Sequence, residues 1–232
     1  MKKIFFSLNL VTAICFCLLS SCSKSSSSGN NGGGGGGGTT VSDLVASFSN
    51  NNSSTGVTTV YTFTYDSQNR LIEEQISDGT PTASFSYGTD TVTKTQGTTT
   101  TVYALNNAGY AASDNQGNTY TYDGNGFMTN ETNPNGSSTV NTISNNNIVS
   151  TVQTTAGGAS TTTYTFTFGT KPNSLKYGLT FLGAPDADVI QSEGINGVNY
   201  PFTYTYDSHG RVQTEKIVSG STTLLRTYTY IN

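Results

Sequence analysis

The chain has 232 residues, of which 10% are charged, with 10 Lys and Arg against 14 Asp and Glu. This charged fraction is well below the roughly 25% of an ordinary globular protein, and Thr, Ser, Asn and Gly take its place. With few helix formers and a net charge of −4, the composition excludes a helical bundle, an α/β enzyme and a basic nucleic-acid-binding protein.

The N-terminus has the features of a bacterial export signal. A short basic start, residues 1–3, precedes an almost unbroken apolar run over residues 4–19. This run is shorter than the ~20 residues that a membrane-spanning helix needs, and it ends in small residues. The pattern therefore predicts a cleaved secretory signal over residues 1–21.

The end of the apolar run resembles a bacterial lipobox, because Leu19, Ser20 and Ser21 stand directly before Cys22. In lipoproteins with this motif a signal peptidase cuts before the cysteine, and the cysteine sulfur carries a diacylglyceryl group. The resemblance implies that Cys22 is lipidated and attaches the protein to a membrane. The alternative is an ordinary signal peptide in which the cysteine stands by chance.

The lipobox resemblance also bears on location. The residue after Cys22 is Ser23, whereas Asp at this position tends to accompany retention in the inner membrane of such lipoproteins. We therefore expect the outer membrane, with the leaflet left open. Cleavage removes Lys2 and Lys3, so the mature chain has 8 basic against 14 acidic residues and a net charge of −6.

Residues 23–40 are of low complexity, with four consecutive serines and an unbroken glycine run over residues 32–38. Such a segment has no apolar area to bury and is predicted to be a flexible tether. Its mean reach is about 20–25 Å. Residues 22–40 therefore form a lipidated cysteine and tether ahead of a folded domain.

From about residue 41 onward, aromatic residues alternate with threonine, most clearly in segments 61–65, 164–168, 202–206 and 228–230. Alternation places the rings on one face of a strand and the hydroxyls on the other. Turn signals rich in Gly and Asn separate the strands at intervals of about ten residues. Residues 41–232 are therefore predicted to be one all-β domain, an antiparallel meander of ten or more hairpin strands forming a curved or folded-over sheet.

A nine-residue unit repeats within this domain. The copies are segments 63–71, 120–128 and 204–212, with degenerate copies at 103–111 and 142–149. Two aromatic residues precede an Asp or Asn that can accept backbone N–H bonds, and a Gly or Asn follows where positive φ is needed. Arg70 and Arg211 begin return strands, and we expect them to lie over the rings of their own hairpins.

This unit resembles the YD repeat of RHS (rearrangement hotspot) proteins. The arrangement of lipobox, glycine tether and degenerate hairpins is similar to a family of uncharacterised bacterial lipoproteins built from the same unit. The resemblance covers roughly residues 57–232 and implies the hairpin fold without a known activity. Three well-formed copies are not expected to enclose a hollow shell, so encapsulation of a cargo is not carried over.

One segment, residues 171–199, interrupts the alternation and contains Pro172 and Pro185. We interpret it as a long connection that plugs the apolar face of the sheet. The alternative is a functional loop on a regular scaffold. In that case the candidate ligand-binding residues are Tyr177, Asp186, Asp188 and Glu193.

Residues suited to catalysis are scarce. His209, the single histidine, occupies a turn position and is expected to be solvated. With Cys22 acylated there is no thiol nucleophile, and no ligand cluster points to a metal or another cofactor. Glu73 and Glu74 are adjacent on a predicted strand and point to opposite faces, so they cannot share one cleft.

Three functional hypotheses remain. The first is a non-catalytic, lipid-anchored envelope protein with a structural or binding role, whose partner is a surface glycan or an envelope protein. The second is a carbohydrate-binding accessory of a glycan-uptake system, which an exposed row of tyrosines would favour. The third, least favoured, is a carboxylate-dependent hydrolase, which needs Asp186, Asp188 or Glu193 in a cleft opposite another acid.

Overall fold

A computed structural model describes residues 42–231. The signal segment, Cys22 and the tether lie outside the described residues. The strands are β1 (Val45–Asn52), β2 (Thr58–Tyr65), β3 (Leu71–Ile76), β4 (Ala83–Tyr87), β5 (Thr91–Gln96), β6 (Thr99–Leu105), β7 (Ala111–Asp114), β8 (Thr119–Tyr122), β9 (Met128–Thr132), β10 (Ser138–Ser144), β11 (Asn147–Thr154), β12 (Thr161–Pro172), β13 (Asp188–Ile195), β14 (Val198–Tyr206), β15 (Val212–Ser219) and β16 (Thr222–Tyr230). Two short 3-10 helices, Ala156–Gly158 and Thr180–Leu182, lie in connections.

Each strand pairs antiparallel with the next in the chain, which confirms the predicted meander. The sheet goes further than a curve, because β1 also pairs with β16, from Val45 opposite Tyr230 to Asn52 opposite Leu224. The sixteen strands therefore form a closed barrel. Closure leaves no free strand edge in the sheet, which removes the usual site of edge-to-edge aggregation.

The two faces of the strands differ as the alternation predicts. In β16, Arg226 and Tyr228 are buried while Thr227 and Thr229 are exposed. The buried face is the barrel interior, and the exterior carries hydroxyl groups that bond across strands. On neighbouring strands of this outer face, Ser47 Oγ lies 2.7 Å from Thr229 Oγ1, within hydrogen-bond distance.

The interior is packed with side chains in two clusters. The larger has Phe48, Phe63, Leu71, Phe85, Val92, Val212 and Tyr228 among its buried members, mostly from β1 to β5 and from β15 and β16. The smaller has Tyr164, Ile190, Ile195, Tyr200, Phe202, Ile217 and Leu224, from β12 to β16. The barrel therefore has two clusters of buried side chains inside it, whereas the sequence predicted only a curved or folded-over sheet.

The two ends of the barrel differ in their connections. At one end, which we call the plug end, lie the turns that follow even-numbered strands, together with residue 42 and the end of β16. Residues 173–187, which join β12 to β13, also lie at this end. The other end, the far end, has only the connections that follow odd-numbered strands.

Residues 173–187, the plug segment, enter the barrel interior. The Tyr177 ring lies 5.3 Å from the Phe63 ring and 5.6 Å from the Phe48 ring, centroid to centroid. The Phe181 ring lies 4.9 Å from the Tyr103 ring. These contacts confirm the plug for residues 173–187, with a short helix at residues 180–182, but the prediction was wrong for residues 188–199, most of which form β13 and the start of β14.

Backbone hydrogen bonds fix the plug segment to widely separated strands. Lys176 O accepts from Val45 N at 3.1 Å, and Gly126 O accepts from Ala184 N at 2.8 Å. Ser174 Oγ accepts from Val212 N at 2.9 Å. The plug segment therefore spans this end of the barrel. It is bonded to β1 and β15 on one side and to the turn between β8 and β9 on the other.

Candidate functional site

The repeated unit forms the same turn at four places on the plug end. Asp66 Oδ1 accepts hydrogen bonds from the N–H groups of Gln68 and Arg70, each at 2.9 Å. The corresponding acceptors in the other copies are Asn106, Asp123 and Asp207. Asn69 and its counterparts Gly109, Gly126 and Gly210 all have positive φ. These turns confirm the roles predicted for the Asp or Asn and for the Gly or Asn.

A β-bulge follows each turn, in the return strand. Thr64 is opposite Glu73 and Tyr65 is opposite Leu71, so Ile72 is the extra residue, while Arg70 O accepts a hydrogen bond from Asp66 N at 3.0 Å. The Arg70 guanidinium lies 4.3 Å from the centroid of the Tyr87 ring, on β4. Arg211 lies in the same way over Tyr230 of β16, at 4.2 Å.

The expected cation–π contacts therefore exist, but the expected partners were wrong. Each guanidinium lies instead over a ring on the strand that follows its own hairpin. Each guanidinium also pairs with the aspartate of its turn, with Arg70 Nε 2.7 Å from Asp66 Oδ2 and Arg211 Nε 2.8 Å from Asp207 Oδ2. An aspartate and a tyrosine ring thus form a cradle around each guanidinium.

A pocket of about 560 Å³ lies between the turns after β6 and β8. Its lining residues are Asn106, Ala108, Tyr110, Tyr120, Thr121, Tyr122, Asp123, Gly124, Asn125 and Gly126. The Tyr110 and Tyr122 rings are stacked at 4.9 Å with 23° between their planes. Tyr110 holds the position of Arg70 and Arg211 in its copy of the unit, and its hydroxyl lies against Gly126, where a Cβ would collide with it.

This pocket lies in a sector of the barrel without basic residues. Between Lys94 and Lys171 the sequence has no Lys, Arg or His, and it has three acids, Asp114, Asp123 and Glu131. Burial, followed by the charge of Asp114, raises the pKa of Glu131. Burial and then the charge of Glu131 raise the pKa of the Tyr122 hydroxyl. The local field therefore favours a positive ligand.

A second cluster of charged side chains lies inside the barrel. Glu215 Oε1 pairs with Arg226 Nη1 at 2.7 Å, and Glu215 Oε2 accepts a 2.9 Å hydrogen bond from the Tyr228 hydroxyl. The charges of Glu215 and Arg226 both act on Glu193. Burial raises the pKa of Glu193 to about 7, and the attraction of Arg226 opposes this rise. Within residues 42–231, Glu193 Oε2 has no hydrogen-bond partner.

Glu193 and Glu215 are the pair of acids that the hydrolase hypothesis requires, but their setting is unsuited to it. Each is only 2% exposed, and each faces the packed interior. A glycosidase needs its two carboxyl groups in a cleft that admits the sugar and a water molecule. These acids are buried charges of the core, and the hypothesis gains no support from them.

The four candidate loop residues are not gathered around one opening. Tyr177 and Glu193 are buried, at 4% and 2% exposure. Asp186 Oδ1 accepts from Ile148 N at 2.6 Å, and Asp188 Oδ2 accepts from Asn147 Nδ2 at 3.0 Å. Burial raises the pKa of Asp186 to about 6. In the structure these two acids fasten the end of the plug segment to β11, and a ligand-binding role for the four residues stays a prediction.

The remaining sequence candidates are also placed. His209 has a half-exposed side chain in the turn after β14, as expected of a solvated turn residue. Glu73 and Glu74 point to opposite faces, with Glu74 toward the interior opposite Phe63 and Ala83. All fourteen tyrosines lie within residues 42–231, and each is buried or half-buried. The exposed tyrosine row that would favour a glycan-binding accessory is therefore absent from this part of the chain.

Sequence reasoning missed the pocket beside Asp123 and the buried group around Arg226. Two signals were available. The copy at residues 120–128 has Phe127 where two others have arginine, and no basic residue occurs between Lys94 and Lys171. The group around Arg226 gave no comparable signal, because it depends on strands brought together by the closed sheet.

No helix within residues 42–231 is long and apolar enough to cross a membrane. In the same range, no group of three or more His, Cys, Asp or Glu side chains is placed to hold a metal ion.

No family model and no curated protein matches this sequence. Solved structures do resemble the barrel. A porin-like protein from Bacteroides uniformis superposes with a TM-score of 0.63 at 18% identity, covering 81% of this chain and 98% of that chain. A porin-like protein from Bacteroides vulgatus superposes with a TM-score of 0.55 at 11% identity, covering 81% and 99%. At these identities the likeness shows the fold, an antiparallel barrel.

Proposed function

We propose that this protein is a non-catalytic lipoprotein of the bacterial envelope, a barrel that stands on a membrane by a lipid at Cys22 and does not insert into it. The observation that carries the proposal is the distribution of polarity across the barrel wall. A membrane-inserted barrel has an apolar band of about 25 Å facing the lipid, aromatic girdles at its edges and a polar interior. Here the alternating tyrosines and phenylalanines face inward and the threonines between them face outward.

The outer face has little that could contact lipid tails. Among residues 42–231, the large apolar side chains that are exposed are Val57, Val60, Val140, Val198, Val218 and Leu225. They include no aromatic residue, and they lie scattered on several strands. A bilayer would have to accommodate the exposed hydroxyls of β2, β14 and β16 instead, each at a desolvation penalty.

The closed interior argues against transport. The two core clusters and the plug segment lie inside the barrel, where a pore has an open channel. The function we infer is therefore structural or binding, at the barrel surface. We place the protein in the outer membrane because of the lipobox resemblance and because Ser23 follows Cys22. The proposal also includes the relationship of the hairpins to the YD repeat.

The position of residue 42 indicates which end of the barrel faces the membrane. The described chain begins at the plug end, where Arg211 Nη1 donates to Ser42 O at 2.7 Å. A lipid at Cys22 would hold this end toward the membrane, within the tether's mean reach of about 25 Å. The far end would then point away from the lipid surface.

The test is a comparison of the native chain with Cys22→Ala in bacterial cells. We expect the native chain to incorporate labelled palmitate and to sediment with membranes, and the variant to lose the label. Purified native protein should give no conductance steps in a planar bilayer. A variant that still takes up the palmitate label, or stepwise conductance of the native protein, would contradict the proposal.

A further inference from the structure

We propose that the pocket between the turns after β6 and β8 binds a guanidinium group, with Asp123 and the ring of Tyr110 or Tyr122 as its partners. The first argument comes from the chain itself. Two copies of the repeated unit hold a guanidinium between an aspartate and a tyrosine: Arg70 between Asp66 and Tyr87, and Arg211 between Asp207 and Tyr230.

The Asp123 copy builds the same turn without its cation. Asp123 Oδ1 accepts from Asn125 N and Phe127 N at 2.9 Å each, as in the arginine-containing copies. Four residues after this aspartate stands Phe127, whose side chain is buried and cannot donate a hydrogen bond. Among residues 42–231, no side chain donates a hydrogen bond to Asp123. Its second carboxylate oxygen therefore lacks the partner that Arg70 and Arg211 supply elsewhere.

A cavity lies beside this aspartate. It has a volume of about 560 Å³, ample for a guanidinium and a short alkyl chain, and the stacked rings of Tyr110 and Tyr122 line it. A guanidinium binds a carboxylate with parallel N–H bonds and stacks on an aromatic face. The pocket thus has a carboxylate and aromatic rings, with the rings on β8 and in the turn between β6 and β7, whereas the arginines of the other copies stack on the strand that follows their hairpin.

The surrounding charge selects for a cation. No lysine, arginine or histidine is present between Lys94 and Lys171 to neutralise Asp114, Asp123 and Glu131. An uncompensated carboxylate next to tyrosine rings attracts a cation by its charge and by the ring quadrupoles. A neutral sugar would gain from the rings but not from this charge, so we favour the guanidinium.

The test is isothermal titration of the purified protein with butylguanidinium, with butylurea as its neutral isostere. We expect the cation to bind and butylurea to bind at least tenfold more weakly. Asp123→Asn removes the charge and keeps the turn, since Asn106 makes the same two backbone hydrogen bonds in its own copy. This variant should weaken cation binding by tenfold or more. Asp78→Asn, in an exposed far-end turn, removes the same charge and should not change it.

A second variant fills the site from within. Phe127→Arg restores the residue of the other two copies, which pairs with the aspartate of its turn, so it should weaken binding of the added cation at least tenfold by competing for Asp123. If this variant does not fold, the Asp123→Asn result decides alone. Tighter binding of the tripeptide Gly-Arg-Gly than of butylguanidinium would assign the site to a protein arginine, and the reverse order to a free guanidine. The proposal fails if the native protein does not bind either probe, or if Asp123→Asn binds as well as the native protein.

Discussion

The guanidinium of Arg211 lies 4.2 Å from the centre of the Tyr230 ring and joins the first described residues to the last strand. It bonds to Asp207 through two nitrogens, each at 2.8 Å, and to Ser42 O at 2.7 Å. Its side chain is 11% exposed, whereas that of Arg70, which makes the equivalent contacts with Asp66 and Tyr87, is 37% exposed. The same cradle is thus built once in a buried and once in a solvated setting.

This difference predicts unequal losses of stability. Arg211→Ala should lower the free energy of unfolding by about 2–4 kcal/mol, because it leaves a partly buried carboxylate and a carbonyl without their donor. Arg70→Ala should lower it by about 1 kcal/mol or less, since solvent screens the exposed pair. Urea unfolding followed by circular dichroism measures both values. Equal losses would show that burial does not strengthen the cradle.

The local features of this fold could be read from the sequence because they depend on near neighbours. Alternation of Thr with Tyr or Phe predicts the two faces of a strand, and the spacing from Asp66 to Asn69 predicts a turn with positive φ. The plug segment was recognisable because Pro172 and Pro185 interrupt the alternation. Each of these signals lies within a few consecutive residues.

The features that escaped prediction depend on which strands meet. Closure requires β1 to pair with β16, and the alternation is the same for an open and a closed sheet. The ring beneath Arg70 belongs to the next hairpin, and the spacing within one hairpin does not say which neighbouring strand its guanidinium reaches. The meeting of Glu193 with Glu215 and Arg226 likewise requires three different strands to be placed side by side.

Glu193 should make stability dependent on pH. Burial raises its pKa from an ordinary value of 4.5 to about 7, so the folded protein holds this proton more tightly than the unfolded chain. The resulting stabilisation is complete below pH 4.5 and is lost as the pH rises to about 7. Glu193→Gln should therefore raise the free energy of unfolding at pH 8 by about 1–3 kcal/mol and change it little at pH 4.

Urea unfolding at the two pH values measures this effect. Glu73→Gln, on the outer face of β3, is the matched control and should change the free energy by less than about 0.5 kcal/mol at either pH. A Glu193→Gln variant that gains nothing at pH 8 would mean that Glu193 is accommodated as a carboxylate in the folded core.

Tyr177 should be a main support of the plug end. It is 4% exposed and packs against Phe48, Phe63 and Tyr228. Tyr177→Ala should lower the free energy of unfolding by about 3–5 kcal/mol, because it leaves a cavity among rings held by other strands. Val57→Ala, at a side chain that is 56% exposed, is the control and should change it by less than about 0.5 kcal/mol. If both variants unfold at the same denaturant concentration, the plug segment is not part of the cooperative core.

Alanine substitutions of Gly126 and Gly109 separate the effect of the Tyr110 contact on stability from the effect of backbone strain. Both glycines have similar positive φ, +87° and +83°, so alanine at either position should cost about 1–2 kcal/mol. A Cβ at Gly109 meets no atom within 4 Å, whereas a Cβ at Gly126 collides with the Tyr110 hydroxyl. Gly126→Ala should therefore be the more destabilising of the two, by about 1 kcal/mol or more.

A double-mutant cycle gives the measurement its control. In a Tyr110→Ala background the collision no longer exists, so Gly126→Ala and Gly109→Ala should lower the free energy of unfolding by equal amounts. If Gly126→Ala remains the more destabilising variant there, its excess comes from the plug segment bonded to Gly126 O and not from Tyr110. If the two variants are equal already in the native background, Tyr110 moves aside freely, and the stacked pair with Tyr122 is not a rigid wall of the pocket.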